Sequence, residues 1–278
     1  MEATVERFET ASDAVVNGDV ATLNAMLQLE PELITARSFR DHHATLLHYC
    51  AANGVEQERQ KTPPNVFEVV RLLVAAGADP NATADIFGEG ATTLALAATS
   101  IHPLKAGVQQ ALLETLLDSG AEIRPGDVLA CLMNGREAAA SFLTARGADL
   151  GAAEAAGLGW MVLLREFVAA GVVSDDLELG FLLACEFGHD AVIEYLATVG
   201  VNLQATTRDG QTGLHMAAIG GRAKTASLLL CLGLSTSAKN VYGGTPLGQA
   251  IWSAENSSDT ARYRQVIAVL QAANEITR

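Results

Sequence analysis

The sequence predicts an all-α solenoid of repeated helix–turn–helix units, and three observations carry that reading. Glycines that close apolar helices recur along most of the chain: Gly77 after LLVAA, Gly120 after LLDS, Gly147 after FLTAR, Gly171 after FVAA, Gly200 after YLATV and Gly233 after LLCL. Shorter Ala-rich segments lie upstream, as HYCAANG at 48–54, LALAATS at 94–100, LLACEFG at 182–188 and HMAAIGG at 215–221. Finally, the TGLH that begins at Thr212 is echoed by the TPLG that begins at Thr245.

Each element follows from its residues. Glycine adopts the left-handed conformation that ends a helix. Alanines let one helix approach its neighbour closely, and Leu pairs such as Leu72/Leu73 and Leu116/Leu117 give the longer helix an apolar face. A single helix pair cannot bury both of its faces, whereas stacked copies can. No stretch alternates apolar and polar residues long enough for a core strand, so negligible sheet is expected.

The box recurs as TLLHYCAANG at 45–54, TTLALAATS at 92–100, TGLHMAAIGG at 212–221 and TPLGQAIWS at 245–253. A trailing pattern appears as GADPNA at 77–82, GADL at 147–150 and GVNLQA at 200–205. On these motifs the chain resembles the ankyrin-repeat family, of a bacterial type with divergent repeats. The resemblance implies an ankyrin-repeat solenoid of about eight units forming one domain over 1–278. Residues 1–40 would be an N-terminal capping unit, 41–240 the internal units and 241–278 a C-terminal capping unit. The central units, about 124–173, lack the box and are expected to be irregular. Two insertions, EQERQKTPPN at 56–65 and IHPLKAG at 101–107, are expected to form an outgrowth on one side.

Acidic residues outnumber basic ones 32 to 18, a net charge of −14, which disfavours nucleic acid and anionic membrane surfaces as partners. No apolar run approaches the ~18 residues of a membrane span. The acidic start MEATVERFET is unlike a signal peptide, so a cytoplasmic monomer is expected. Cys50, Cys131, Cys185 and Cys231 are widely spaced within apolar segments and read as buried, reduced thiols.

Little in the sequence points to chemistry. His48 and His215 occupy the histidine of the box, and the resemblance implies that each bonds the loop of a neighbouring unit; His189 follows the same logic. His42, His43 and His102 have no third ligand at metal spacing, so neither metal nor cofactor is expected. No G-x-S-x-G elbow, phosphate loop or G-x-G-x-x-G is present, and no catalytic residue is assigned.

The resemblance places partner binding at the two positions after each Ala-Ala pair and at the loop tips. Aligned that way, the ridge reads Ala52-Asn53, Thr99-Ser100, Met133-Asn134, Gly157-Leu158, Glu186-Phe187, Ile219-Gly220 and Trp252-Ser253. The expected groove is Asn53, Ser100, Met133, Leu158, Glu186, Phe187, Ile219 and Trp252, with Asp41, His43, Arg208, Asp209, Asn240 and Tyr242 at its rim. Met133, Leu158, Phe187, Ile219 and Trp252 would make an exposed apolar row, the usual mark of an interaction surface. The expected function is non-catalytic recognition of a partner protein segment through an apolar concave groove. A small hydrophobic ligand, or an enzyme site built in the same groove, is the alternative.

Overall fold

The computed structural model describes residues 2–52, 56–88, 90–257 and 259–276. The chain packs as two compact units, Met1–Ala148 and Asp149–Arg278.

In the first unit, α1 (Glu2–Asn17) and α2 (Val20–Leu29) form the first helix pair, followed by a 3-10 turn at Pro31–Ile34. α3 (Leu46–Tyr49) and α4 (Val66–Ala75) form the second, and the insertion between them carries a 3-10 turn at Gln57–Arg59. An antiparallel hairpin of two-residue strands, β1 (Thr83–Ala84) and β2 (Ala91–Thr92), leads into the third pair. That pair is α5 (Thr93–Thr99) with the short α6 (Ile101–Lys105) and then α7 (Gln109–Asp118). α8 (Asp127–Met133) and α9 (Glu137–Ala145) form the fourth. The first helices stack in the order α1, α3, α5, α8, and the second helices in the order α2, α4, α7, α9.

The second unit repeats the plan. Its pairs are α10 (Ala152–Gly157) with α11 (Met161–Ala169), then α12 (Ser174–Phe187) with α13 (Asp190–Thr198). After them come α14 (Gly213–Gly220) with α15 (Ala223–Cys231), and α16 (Pro246–Glu255) with α17 (Thr260–Ile276). α10, α12, α14 and α16 stack in that order around Phe181, Leu214 and Ala217, all fully buried. The helix–turn–helix repeats expected from the glycine spacing are therefore present in both units. The six closing glycines all have positive φ, between 77° at Gly171 and 105° at Gly77, which explains why no side chain replaces them there.

The box histidines lock one repeat to the next. Thr45 N–H and Thr212 N–H each donate to a ring Nδ1, of His48 and His215 respectively, both at 3.2 Å. Each Nε2 therefore carries the proton and donates to a carbonyl of the following loop, Ala91 at 3.2 Å and Gly244 at 2.9 Å. Two of the repeats without the box obtain the same N-terminal bond from a carboxylate three residues on: Arg124 N–H to Asp127 (2.8 Å) and Gly151 N–H to Glu154 (3.1 Å). This substitution lets the irregular repeats begin a helix without Thr or His.

Burial lowers the pKa of both histidines, that of His48 to about 4. Between that value and the usual histidine value near 6.5, the unfolded chain takes up protons that the folded chain refuses. Stability is expected to fall as pH drops from about 7 to about 5. His215→Ala is expected to cost about 1–3 kcal/mol at neutral pH and to lessen that decline. Urea midpoints of both proteins at the two pH values check this; equal midpoints at neutral pH would count against the locking role.

Two expectations are corrected. The insertion at 56–65 folds inward: Glu56 and Arg59 are buried because their charged groups find partners beneath the chain, and Thr62 is buried beside them. Of the four cysteines, Cys50, Cys131 and Cys185 are buried, but Cys231, the last residue of α15, is exposed.

Candidate functional site

Successive helix residues are rotated by about 100°, so the two ridge positions of a repeat cannot face the same way. The first position is 63% exposed at Met133 and 60% at Trp252, half-buried at Glu186 and Ile219, and buried at Ala52 and Gly157. The second is covered in the second unit, where Leu158 is 9% exposed, Phe187 8% and Ser253 7%. The expected exposed apolar row is therefore interrupted at Leu158 and Phe187. The Phe187 ring lies 6.5 Å from the His189 ring, under the turn that closes its own helix pair. Phe187→Asp is accordingly expected to bury an unpaired charge and lower the melting temperature by many degrees without any partner present. A melt like that of wild type would restore Phe187 to the surface.

The reason for that cover is a set of bonds from the following repeat, of which the sequence implied that of His189 but not those of Arg222 and Tyr263. The last carbonyls of the first helices accept from the following repeat: Gly157 O from His189 Nε2 (3.0 Å), Glu186 O from Arg222 Nε (2.9 Å) and Ile219 O from the Tyr263 hydroxyl (2.9 Å). In the first unit Asn65 Nδ2 donates likewise to Gly18 O (3.0 Å). The dipeptides Gly188-His189 and Gly221-Arg222 were the available signal. The ridge is thus held rigid from behind.

In the first unit residues of the ridge line a cleft of about 380 Å³. Ala52, Thr99, Ser100 and Asn134 come from the ridge, Gln60 from the first insertion, and Ile101 and His102 from the second. Leu96 and Arg136 complete the wall, and Phe87 stands at its edge from the tip of the β1–β2 hairpin. Phe87 is 82% exposed, and both it (φ 53°) and Ala52 (φ 56°) adopt the left-handed conformation. For a bulky aromatic that conformation is strained, and such strain concentrates at functional positions. The Ser100 hydroxyl accepts from His102 N–H (3.2 Å), which fixes the start of α6. Asn53 falls outside the described residues.

The wall that carries Gln60 is anchored by a buried charge cluster. Glu56 Oε1 accepts from the Tyr49 hydroxyl (2.5 Å) and from His42 Nε2 (2.8 Å), whose Nδ1 is occupied by Ala44 N–H. Arg59 reaches Glu56 (2.7 Å), Glu9 (2.6 Å) and Asp13 (2.8 Å) together. Arg40 joins Glu9 (2.9 Å) and Glu58 (3.3 Å) at the solvent side. Burial alone would raise the pKa of Glu56, but the Tyr49 hydroxyl and Arg59 outweigh it and hold the carboxyl below its ordinary value. The insertion is thereby tied to α1, and Gln60 Nε2 bonds back to Glu56 O (3.0 Å).

The rim residues are solvent-facing, with one exception. Asp41, His43, Arg208, Asp209 and Tyr242 are exposed, and His43 Nδ1 lies 2.8 Å from Asp85. Asn240 is buried, because its Oδ1 accepts from Tyr242 N–H and Gly244 N–H to close the turn. In the second unit a groove of about 990 Å³ runs between α15 and α17, lined by Leu230, Cys231, Leu234, Val269 and Ala272 among others. Burial pushes the Cys131 thiol up to about 12 and that of Cys185 well above its usual value, so neither is a thiolate at neutral pH. Among the described residues no group of three or more His, Cys, Asp or Glu side chains is placed to hold a metal, and no helix is long and apolar enough to cross a membrane.

Comparison with known proteins bears on these repeats directly. No curated protein matches the chain. Among solved structures, the crystal structure of the ankyrin repeat domain of Bcl-3, a unique member of the IkappaB protein family, is similar at 23% identity. That similarity covers 94% of this chain and 97% of that one, with a TM-score of 0.42. Residues 181–263 match the family model described as ankyrin repeats (3 copies), and residues 42–85 match that of the single ankyrin repeat. Segments that match ankyrin-repeat models therefore lie in both of its units.

Proposed function

We propose that the protein is a non-catalytic recognition scaffold that holds a partner protein segment at its ridge and loop tips, with the cleft of the first unit as the main contact. Ankyrin repeats generally mediate protein–protein interaction. The observation that carries the reading is the convergence of three repeats, both insertions and a strained, exposed Phe87 on one cleft. Magnitudes agree. One buried aromatic returns at most about 3 kcal/mol, and association costs about 4–15 kcal/mol, so several contacts must act together. In the second unit Trp252 and Tyr242 offer a further apolar surface of the same kind.

The test is a display library of short random peptides selected on the wild-type chain and screened against Phe87→Asp and Met133→Asp. Both side chains are exposed, so folding should change by no more than about 0.5 kcal/mol. Peptides retained by wild type and lost from the variants support the reading; selected peptides indifferent to both would sink it. A second reading, a small hydrophobic ligand, rests on the size and apolar walls of the α15–α17 groove. Displacement of a bound apolar dye from that groove, abolished by Val269→Asp, would favour it.

A further inference from the structure

We propose that the groove between α15 and α17 is a binding site for an aliphatic monocarboxylate, a methylene chain that ends in one carboxylate. The inference rests on the small-ligand reading above and names the class of that ligand. Leu230 and Leu234 on the α15 side, with Val269 and Ala272 of α17, line the groove with apolar surface. Its volume of about 990 Å³ falls within the range of small-molecule sites, about 300–1,000 Å³. The backbone along these walls is already satisfied: it is helical, and Leu234 N–H beyond the end of α15 donates to Leu229 O (3.0 Å). An extended peptide laid here finds no strand edge to pair its own N–H and C=O groups, whereas a methylene chain has none to pair.

The polar part of the lining selects the sign of the charge. Lys239 is the one charged side chain among the described residues of the lining, and it is exposed. Its ammonium has no ion-pair or hydrogen-bond partner among the described residues. The chain has 32 acidic residues against 18 basic ones, yet none of the described lining residues is a carboxylate. Thr236 is a second, independent sign of a ligand. It is only 9% exposed, and its hydroxyl has no hydrogen-bond partner among the described residues. A covered hydroxyl without a partner costs stability, and an acceptor lying in the groove removes that cost. Ser235 Oγ and Ser237 Oγ are 2.8 Å apart, and whichever donates, the other keeps a free O–H. Thr245 Oγ1 accepts from Gly248 N–H (3.2 Å), which leaves its own O–H to donate. A carboxylate accepts several such bonds at once, and a cationic headgroup would meet Lys239 with no acid to offset it. One lysine balances one negative charge, which favours a carboxylate over a phosphate monoester of charge about −1.5 to −2.

Cys231 supplies the readout. It lies in the groove and is exposed, while Cys50, Cys131 and Cys185 are buried, so an alkylating reagent added to the folded chain reports on this site. Decanoate is expected to slow the alkylation of Cys231 in a saturable way. Decanol and decyltrimethylammonium, of the same chain length, should act about five-fold more weakly or worse. Shortening the acid to octanoate should cost about two- to four-fold for each methylene removed. Lys239→Gln should weaken decanoate about five-fold, the upper end for an exposed ion pair, and leave decanol unchanged. Thr236→Val should also weaken decanoate while melting no lower than wild type, a combination that a merely structural hydroxyl would not give. Equal protection by decanol and decanoate, or indifference of decanoate to Lys239→Gln, overturns the inference and leaves the small-ligand reading standing. If no chain of any charge slows the reagent and the apolar dye is not bound either, both fall together.

Discussion

Replacing Arg59 by alanine is expected to destabilise the first unit by about 3–5 kcal/mol, the cost of removing one partner from a buried ion pair. Arg59 is buried and bonded to three carboxylates, and it also lies over the Tyr49 ring at 5.6 Å. Its loss removes the closest cation from the buried Glu56, whose remaining described partners include His42, Tyr49 and Arg40 at 3.5 Å. A double variant, Glu56→Gln with Arg59→Met, should recover much of the loss, because an apolar replacement of a buried pair is often nearly neutral. Both tryptophans, Trp160 and Trp252, lie in the second unit, so the change is followed by circular dichroism or amide exchange in α1. A loss under about 1 kcal/mol would show that the insertion is held by packing alone. The same cluster sets an acid limit. Glu9 and Glu56 are held below their ordinary pKa, so their contribution is present above the usual carboxylate range and is lost as pH falls through their depressed folded values.

The second large effect is expected at Gly220. A methyl group there would fall inside the contact distance of the Glu186 carbonyl oxygen and 2.9 Å from its carbonyl carbon, with Arg222 Cγ at 3.0 Å. Backbone cannot give way as a flexible side chain can. Gly220→Ala must push α14 from α12 and break the bond from Arg222 to Glu186, for a loss of about 3 kcal/mol or more. Gly248→Ala is the matched control. Its nearest neighbour would be Thr245 Oγ1 at 3.6 Å, and the site is an exposed position in α16. There alanine should stabilise by about 0.5–1 kcal/mol. Opposite signs for the two substitutions, read from Trp fluorescence in urea, are the expected outcome; equal signs would contradict the packing of α14 on α12.

The repeats were legible in the sequence because their punctuation is local. A glycine that must take positive φ, or a Thr–His pair three residues apart, leaves its mark wherever it occurs. The ridge was legible only to within a pair of residues. Alignment found Glu186-Phe187 and Trp252-Ser253, but the rotation between neighbours decides which side chain is covered, and that depends on His189 and Arg222 at the starts of later helices and on Tyr263 within α17. The inward fold of the first insertion was hidden for a similar reason. Glu56 and Arg59 read as solvated charges in a polar stretch, and their partners Glu9 and Asp13 lie on α1, far away in sequence. Asp127 and Glu154 were missed because the box was sought by residue type, while what the helix needs is an acceptor at that spacing.

The bonds between successive helix pairs also determine where the second unit yields under load. Between α14 and the pair α16–α17 there is a pin at each end of the first helix, His215 to Gly244 O at the start and Tyr263 to Ile219 O at the finish. Between α12 and α14 the bond from Arg222 to Glu186 O holds the finish, and α12 has no box histidine at its start. The step from α10 to α12 is alike, with His189 on Gly157 O. A joint pinned at both ends resists pivoting, while one pinned at a single end can swing about that pin. Tension applied across residues 149–278 should therefore open the two earlier joints on the side away from their pins, while the final joint moves as one block.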